Sequence, residues 1–173
     1  MKINIKELVV FSMLGTLMYI SKVLMSALPN IHLIGVFVIA TTIVYRKKAL
    51  YPIYVFVFIT GLFNGFAHWW YSYLYIWTAL WGVTMLLPHK KLPRKIKPII
   101  YMFLCGLHGL LFSILYLPVD IIFLSISFKQ IIPWYISGLP YDILHCAGNF
   151  LGGILICPII SALKLANKYA NNN

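Results

Sequence analysis

Three residues near the end of the chain have the types and the spacing to do chemistry together. Asp142, His145 and Asn149 lie in "GLPYDILHCAGNF", at positions i, i+3 and i+7. In a helix these share one face. The surrounding stretch is apolar, and ionisable groups in such a setting are costly and mark functional sites. The bland alternative is a local Asp–His hydrogen bond that stiffens the start of a helix. Rings and amides gather in neighbouring segments: Asn30, His32, His68, Trp69, Trp70, Tyr73, Trp77, Trp134 and Tyr141. Aromatic walls with a few polar groups suit a pocket for a small molecule. The same residues also suit an interfacial aromatic belt. The cluster as a whole favours the pocket, and for any single ring both readings stay open. His108 stands apart from the cluster and reads as a hydrogen-bonding residue of a helix bundle.

Catalytic chemistry has little material here. The chain holds three Asp and Glu residues in total, too few for paired-carboxylate mechanisms. It has no phosphate-binding GxxxxGK[ST] loop, no GxSxG elbow and no HExxH pair. The reading is therefore of a protein that is not an enzyme and carries no cofactor. His32, His68, Asp142 and His145 lack the spacing of a metal site, so no metal is expected. Cys105, Cys146 and Cys157 form neither a disulfide framework nor a zinc pattern and read as small buried hydrophobes.

The elements that must position these residues follow from composition. The 173 residues are 62% hydrophobic and only 10% charged. A soluble domain of this size is about 25% charged and could not hide so much apolar surface. Lipid is the fitting solvent. The expectation is an all-α membrane protein in one domain, 1–173, with spans of about 7–26, 31–45, 50–67, 72–88, 98–117 and 139–163. The second span is short, and 28–30 is expected to turn into the bilayer ahead of it. The stretch 118–138, with Pro118, Asp120, Lys129 and Pro133, reads as a long outer loop with an amphipathic piece. Lys2 and Lys6 before an apolar run resemble a signal peptide with a cleavage site near Met25-Ser26-Ala27. The length of the run and Lys22 near its far end favour a retained span.

The net charge of +11 does not point to nucleic acid, because the basic residues form short clusters between apolar stretches. They do fix an orientation. With six spans and both termini in the cytoplasm, twelve Lys and Arg fall inside, and only Lys22 and Lys129 outside. The expected location is the cytoplasmic membrane. The outer segments are then 25–30, 66–75 and 118–149, which hold most of the polar and aromatic residues. On the first helix Ser12 and Thr16 stand four apart with Gly15 beside them. Small residues at this spacing let a partner helix approach, or serve packing within the bundle.

Three stretches carry a family likeness: "LPNIHLIGVFVIA" from Leu28, "YRKKALYPIYVFVFITGLFNGFAHWWYSYLYIWTALWGVTMLLP" from Tyr45, and "GLPYDILHCAGNF" from Gly138. With its size and six spans, the chain resembles the substrate-binding S components of energy-coupling factor (ECF) vitamin transporters. The resemblance implies capture of a vitamin or precursor from outside, in a pocket built by the outer loops and outer ends of helices 4 to 6. It implies a separate transmembrane coupling subunit, two ATPase subunits, and toppling of the S component in the membrane to release cargo. It also implies that the first helix docks on the coupling subunit through an Ala-x-x-x-Ala motif. Here Ser12 and Thr16 occupy the matching positions. An aromatic pocket favours a flat ring, and Asp120 and Asp142 suit a cationic or donor-rich ligand. Together these lean towards a thiamine-, pyrimidine- or pyridine-like compound and away from folate-like dianions. Two other classes compete: a structural or assembly membrane protein without a ligand, and a small intramembrane enzyme.

Overall fold

The computed structural model describes residues 3–28 and 30–172, with side chains to Lys168. Lys2, one of the expected inner charges, and Pro29, in the expected turn, lie outside the described residues, as does Asn173. Among the described residues the chain is all-helical: α1 (Ile5–Leu24), α2 (Ile34–Tyr45), α3 (Leu50–Asn64), α4 (His68–Leu86), α5 (Lys97–Leu110), α6 (Phe112–Leu124), α7 (Ile131–Gly152) and α8 (Ile156–Asn172). Single 3-10 turns join α2 to α3, lead into α7 and join α7 to α8. Three helical stretches are long and apolar enough to cross a membrane: Ile5–Leu24, Lys97–Leu124 and Phe128–Lys168.

The expected loop over 118–138 is not a loop. Residues up to Leu124 complete α6, a turn over 125–127 follows, and helix resumes at Phe128. The prolines that suggested a break are absorbed. Pro133 sits in the first turn of α7, where a missing N–H leaves nothing unpaired. Pro118 lies inside α6, a position that membrane helices tolerate when neighbours repair the backbone. The turn is made by Ser125 in the left-handed region (φ 53°). Ser127 closes it: its backbone N–H and its hydroxyl both reach Gln130 Oε1, at 2.9 and 2.7 Å.

The fold is organised around α2. Residues Ile34 to Ile43 are all buried, as expected of a helix that is apolar on every side and sits inside a bundle. At twelve residues it is about 18 Å long. It packs on α4 and α8. Around it, α1 lies on α3 and α5 lies on α7. Glycines set both close approaches. A Cβ on Gly15 would stand 2.6 Å from Val55 Cβ, and one on Gly109 would stand 2.9 Å from the backbone of His145.

Many large apolar side chains point outward, among them Phe103 at 63% exposure and Ile122 at 73%. Soluble monomers seldom leave so much apolar surface in contact with water. Polar contacts also draw the basic segments to one end of the bundle. Lys48 pairs with Glu7 at the start of α1. Arg46 donates to the Met85 carbonyl (3.1 Å) and lies 3.5 Å from His89 Nδ1. The Tyr45 hydroxyl donates to Asn167 Oδ1 in α8 (3.1 Å). The residues of chemical interest collect elsewhere, around the end of α1, the segment 25–32 and the junction of α5 with α6.

Candidate functional site

A break between α5 and α6 creates the site. The chain bends at Leu111, so the first N–H groups of α6 lack the carbonyls of a continuous helix. Asp142 reaches across from α7 to replace them. Its Oδ1 accepts from the Ser113 hydroxyl (2.8 Å) and the Ser113 backbone N–H (3.2 Å), with Oδ2 3.4 Å from the same N–H. Gly138, one turn earlier on α7, makes this approach possible, since a Cβ there would lie 2.7 Å from Ser113 Oγ. The alternative reading, a local Asp142–His145 hydrogen bond, is not what Asp142 makes; the aspartate serves the neighbouring helix instead.

Beside this contact lies a cavity of about 630 Å³, within the size range of small-molecule sites. Of the residues singled out from sequence, Asn30, His32, Tyr73, Trp134, Tyr141, Asp142 and His145 line it. Asp142 and His145 are buried, at 3% and 2% exposure. The His32 and His145 rings meet edge to face at 4.7 Å, and Phe112 packs on His145 at 4.5 Å. Asp120 forms part of the wall, and its Oδ2 accepts from the indole N–H of Trp134 (3.2 Å).

The other expected residues lie outside the lining. Trp77 and Asn149 form a layer beneath it. Trp77 touches Tyr73 and His32, with ring centroids 5.4 and 5.9 Å away. Asn149 is fully buried beside Gly35 and Gly109. Trp69 stacks edge-on behind Tyr73. Trp70 is structural: its indole N–H donates to the Val57 carbonyl (2.9 Å) and ties α4 to α3. His68 is exposed at the start of α4. His108 bonds within the bundle as expected, 3.3 Å from the Ile76 carbonyl.

Sequence reasoning missed Lys22, Phe112, Ser113, Tyr116, Ser137 and Gly138 as lining residues. Phe112 and Tyr116 carried a usable signal, being an aromatic pair four apart. Lys22 registered only as an outer charge. Its ammonium lies 5.6 Å from the ring centre of Trp69 and 5.5 Å from that of Tyr73.

No family model, curated protein or solved structure matches this chain. The site must therefore be read from its own chemistry. Buried polar atoms normally have partners, yet five residues around this cavity and just below it hold polar atoms that have none among the described residues. They are His32 Nδ1, Trp77 Nε1, His108 Nδ1, His145 Nε2 and both amide atoms of Asn149. No group of three or more His, Cys, Asp or Glu side chains converges as metal ligands among the described residues.

Of the small-residue trio on α1, only Ser12 and Thr16 face outward. Gly15 is turned inward against Val55 and the Pro52 carbonyl of α3, so its role is packing within the chain and not partner docking.

Proposed function

We propose that this protein is a membrane-embedded binding subunit that captures a small, flat, vitamin-like molecule, in the manner of the S component of an ECF-type transporter. The observation that carries the reading is the cavity of about 630 Å³ with His32 and His145 in its wall, each holding a buried nitrogen without a hydrogen-bond partner among the described residues. Such atoms cost free energy unless something bonds them, and a ligand would supply the partner where the rings turn to meet it. Aromatic faces at Tyr73, Phe112 and Tyr116 suit a planar pyrimidine- or pyridine-like ring.

On this reading six spans cross the cytoplasmic membrane, with both termini in the cytoplasm and the cavity open to the outside. The clustering of basic segments at one end of the bundle supports that orientation. Ser12 and Thr16, exposed on the lipid side of α1, form the docking face for a transmembrane coupling subunit. ATP is hydrolysed by two separate ATPase subunits.

The test is mass spectrometry of protein purified in mild detergent, followed by thermal melting of emptied protein with vitamin-class compounds. A stoichiometric small molecule is expected. At about 100 times its Kd it should add about 2.7 kcal/mol of stability. An empty protein whose melting responds to no compound would refute the reading and leave the structural or assembly role.

A further inference from the structure

The cavity has charge on two sides, and the two sides differ in how well they are already satisfied. Its carboxylates have hydrogen-bond donors, all of them neutral. Asp142 is held by Ser113 through hydroxyl and backbone, and Asp120 by the Trp134 indole. Its one Lys or Arg, Lys22, is not. The only ion pair among the described residues is Lys48 with Glu7, so Lys22 has no carboxylate partner. It rests against the rings of Trp69 and Tyr73, a weaker contact than a charge-assisted hydrogen bond. A half-buried ammonium without a counter-charge is poorly compensated.

Resting on the reading of this cavity as a ligand site, we propose that its ligand is a small heteroaromatic acid with a single carboxylate, bound by Lys22, and a flat ring hydrogen-bonded by His32 and His145. The ring lies among Tyr73, Phe112 and Tyr116. A single carboxylate is the most the cavity can take, because Lys22 is its one Lys or Arg and any further negative charge would stand unpaired beside Asp120 and Asp142. This reverses the cationic preference that the two aspartates suggest in the sequence. A lysine near the end of a spanning helix also has a bland role, reaching towards the interface with its stem on apolar surface, and the experiment separates the two.

Emptied protein is titrated calorimetrically with matched pairs of carboxylates and carboxamides on pyridine, pyrimidine and indole rings. At least one acid should bind roughly tenfold or more tightly than its amide. Lys22→Met keeps the apolar stem over Trp69 and Tyr73, and should erase that preference. Lys22→Arg should keep it. His145→Ala should weaken acid and amide alike. Tighter binding of the amides, or an unchanged acid preference in Lys22→Met, overturns the proposal. A neutral or cationic compound co-purifying in the cavity refutes the ligand class and leaves the binding function standing. No binding by any pair, with nothing co-purified, overturns both.

Discussion

The carboxylate of Asp142 closes the broken end of α6, accepting from the hydroxyl of Ser113 at 2.8 Å and from its backbone N–H at 3.2 Å. One residue thus caps the start of α6 and lines the cavity beside it. Asp142→Ala leaves the Ser113 N–H without its partner, a loss of about 1–3 kcal/mol. A clear fall in melting temperature is expected, even without ligand. Asp142→Asn keeps an acceptor and should fall less. Equal melting of Asp142→Ala and wild type would show that α6 does not need this cap.

The contact of α5 with α7 depends on the missing side chain of Gly109. A methyl there meets the His145 backbone and the Asn149 amide at 2.9 Å. Gly109→Ala should cost about 1–3 kcal/mol through overpacking and distort the cavity floor. Gly82→Ala is the control, since nothing lies within 4 Å of its added Cβ. It should hold stability or raise it by up to about 1 kcal/mol, since alanine is the better helix former. Thermal unfolding of the two variants in the same detergent makes the comparison.

His89 lies in the basic loop after α4, outside the spanning helices. Burial, and then the nearby Arg46 guanidinium, hold its pKa below the ordinary imidazole value of 6.5. Folding therefore favours the neutral ring. Its contribution to stability is complete above pH 6.5 and declines as pH falls from there towards the folded-state pKa. NMR titration of His89 should give a midpoint below 6.5, moving upward in Arg46→Gln. An upward-shifted midpoint in wild type would refute this placement.

Single cysteines at Lys48, Lys91 and Lys168 should resist a membrane-impermeant thiol reagent in intact cells and react after permeabilisation. The polar contacts that draw Arg46, Lys48, His89 and Asn167 to one end of the bundle require these sites to behave alike. Labelling of Lys91→Cys from outside would invert the proposed orientation.

Thr16 faces outward with its hydroxyl bonded to the Ser12 carbonyl (2.9 Å). Thr16→Trp should block close approach of a partner helix and abolish uptake, with ligand affinity of the isolated protein unchanged. Gly15→Trp should instead destroy binding and uptake together, because Val55 and Pro52 leave it no room. Loss of ligand binding in Thr16→Trp would assign that face to folding.

Much of the helical layout was legible in the sequence. The starts of α2, α3 and α5 fall within a few residues of the apolar stretches that suggested them, because charge and Gly/Pro punctuation marks those borders. The segment 118–138 was misread because its prolines looked like breaks, whereas Pro118 lies inside α6 and Pro133 falls in the first turn of α7. Asp142, His145 and Asn149 share a buried face as their spacing requires. Ser113 and Lys22 were missed for a different reason. Their roles come from contacts with residues 29 and 47 or more positions away, which no local pattern records. Trp70 shows the converse error, since an indole that ties two helices together cannot be told from a pocket wall by residue type.

Lys22 and the Ser12–Thr16 face belong to one uninterrupted helix, held to α3 by the Gly15–Val55 contact. A rod pinned near its middle and held at its far end has little freedom left to pivot. Anything that fixes the ammonium in the cavity also narrows the orientations offered to a neighbour in the lipid, and the effect runs equally in reverse. A partner that prefers one tilt of α1 changes ligand affinity by the same factor that ligand changes its own. On the proposed function, occupancy of the cavity and association in the membrane plane would both read the position of α1.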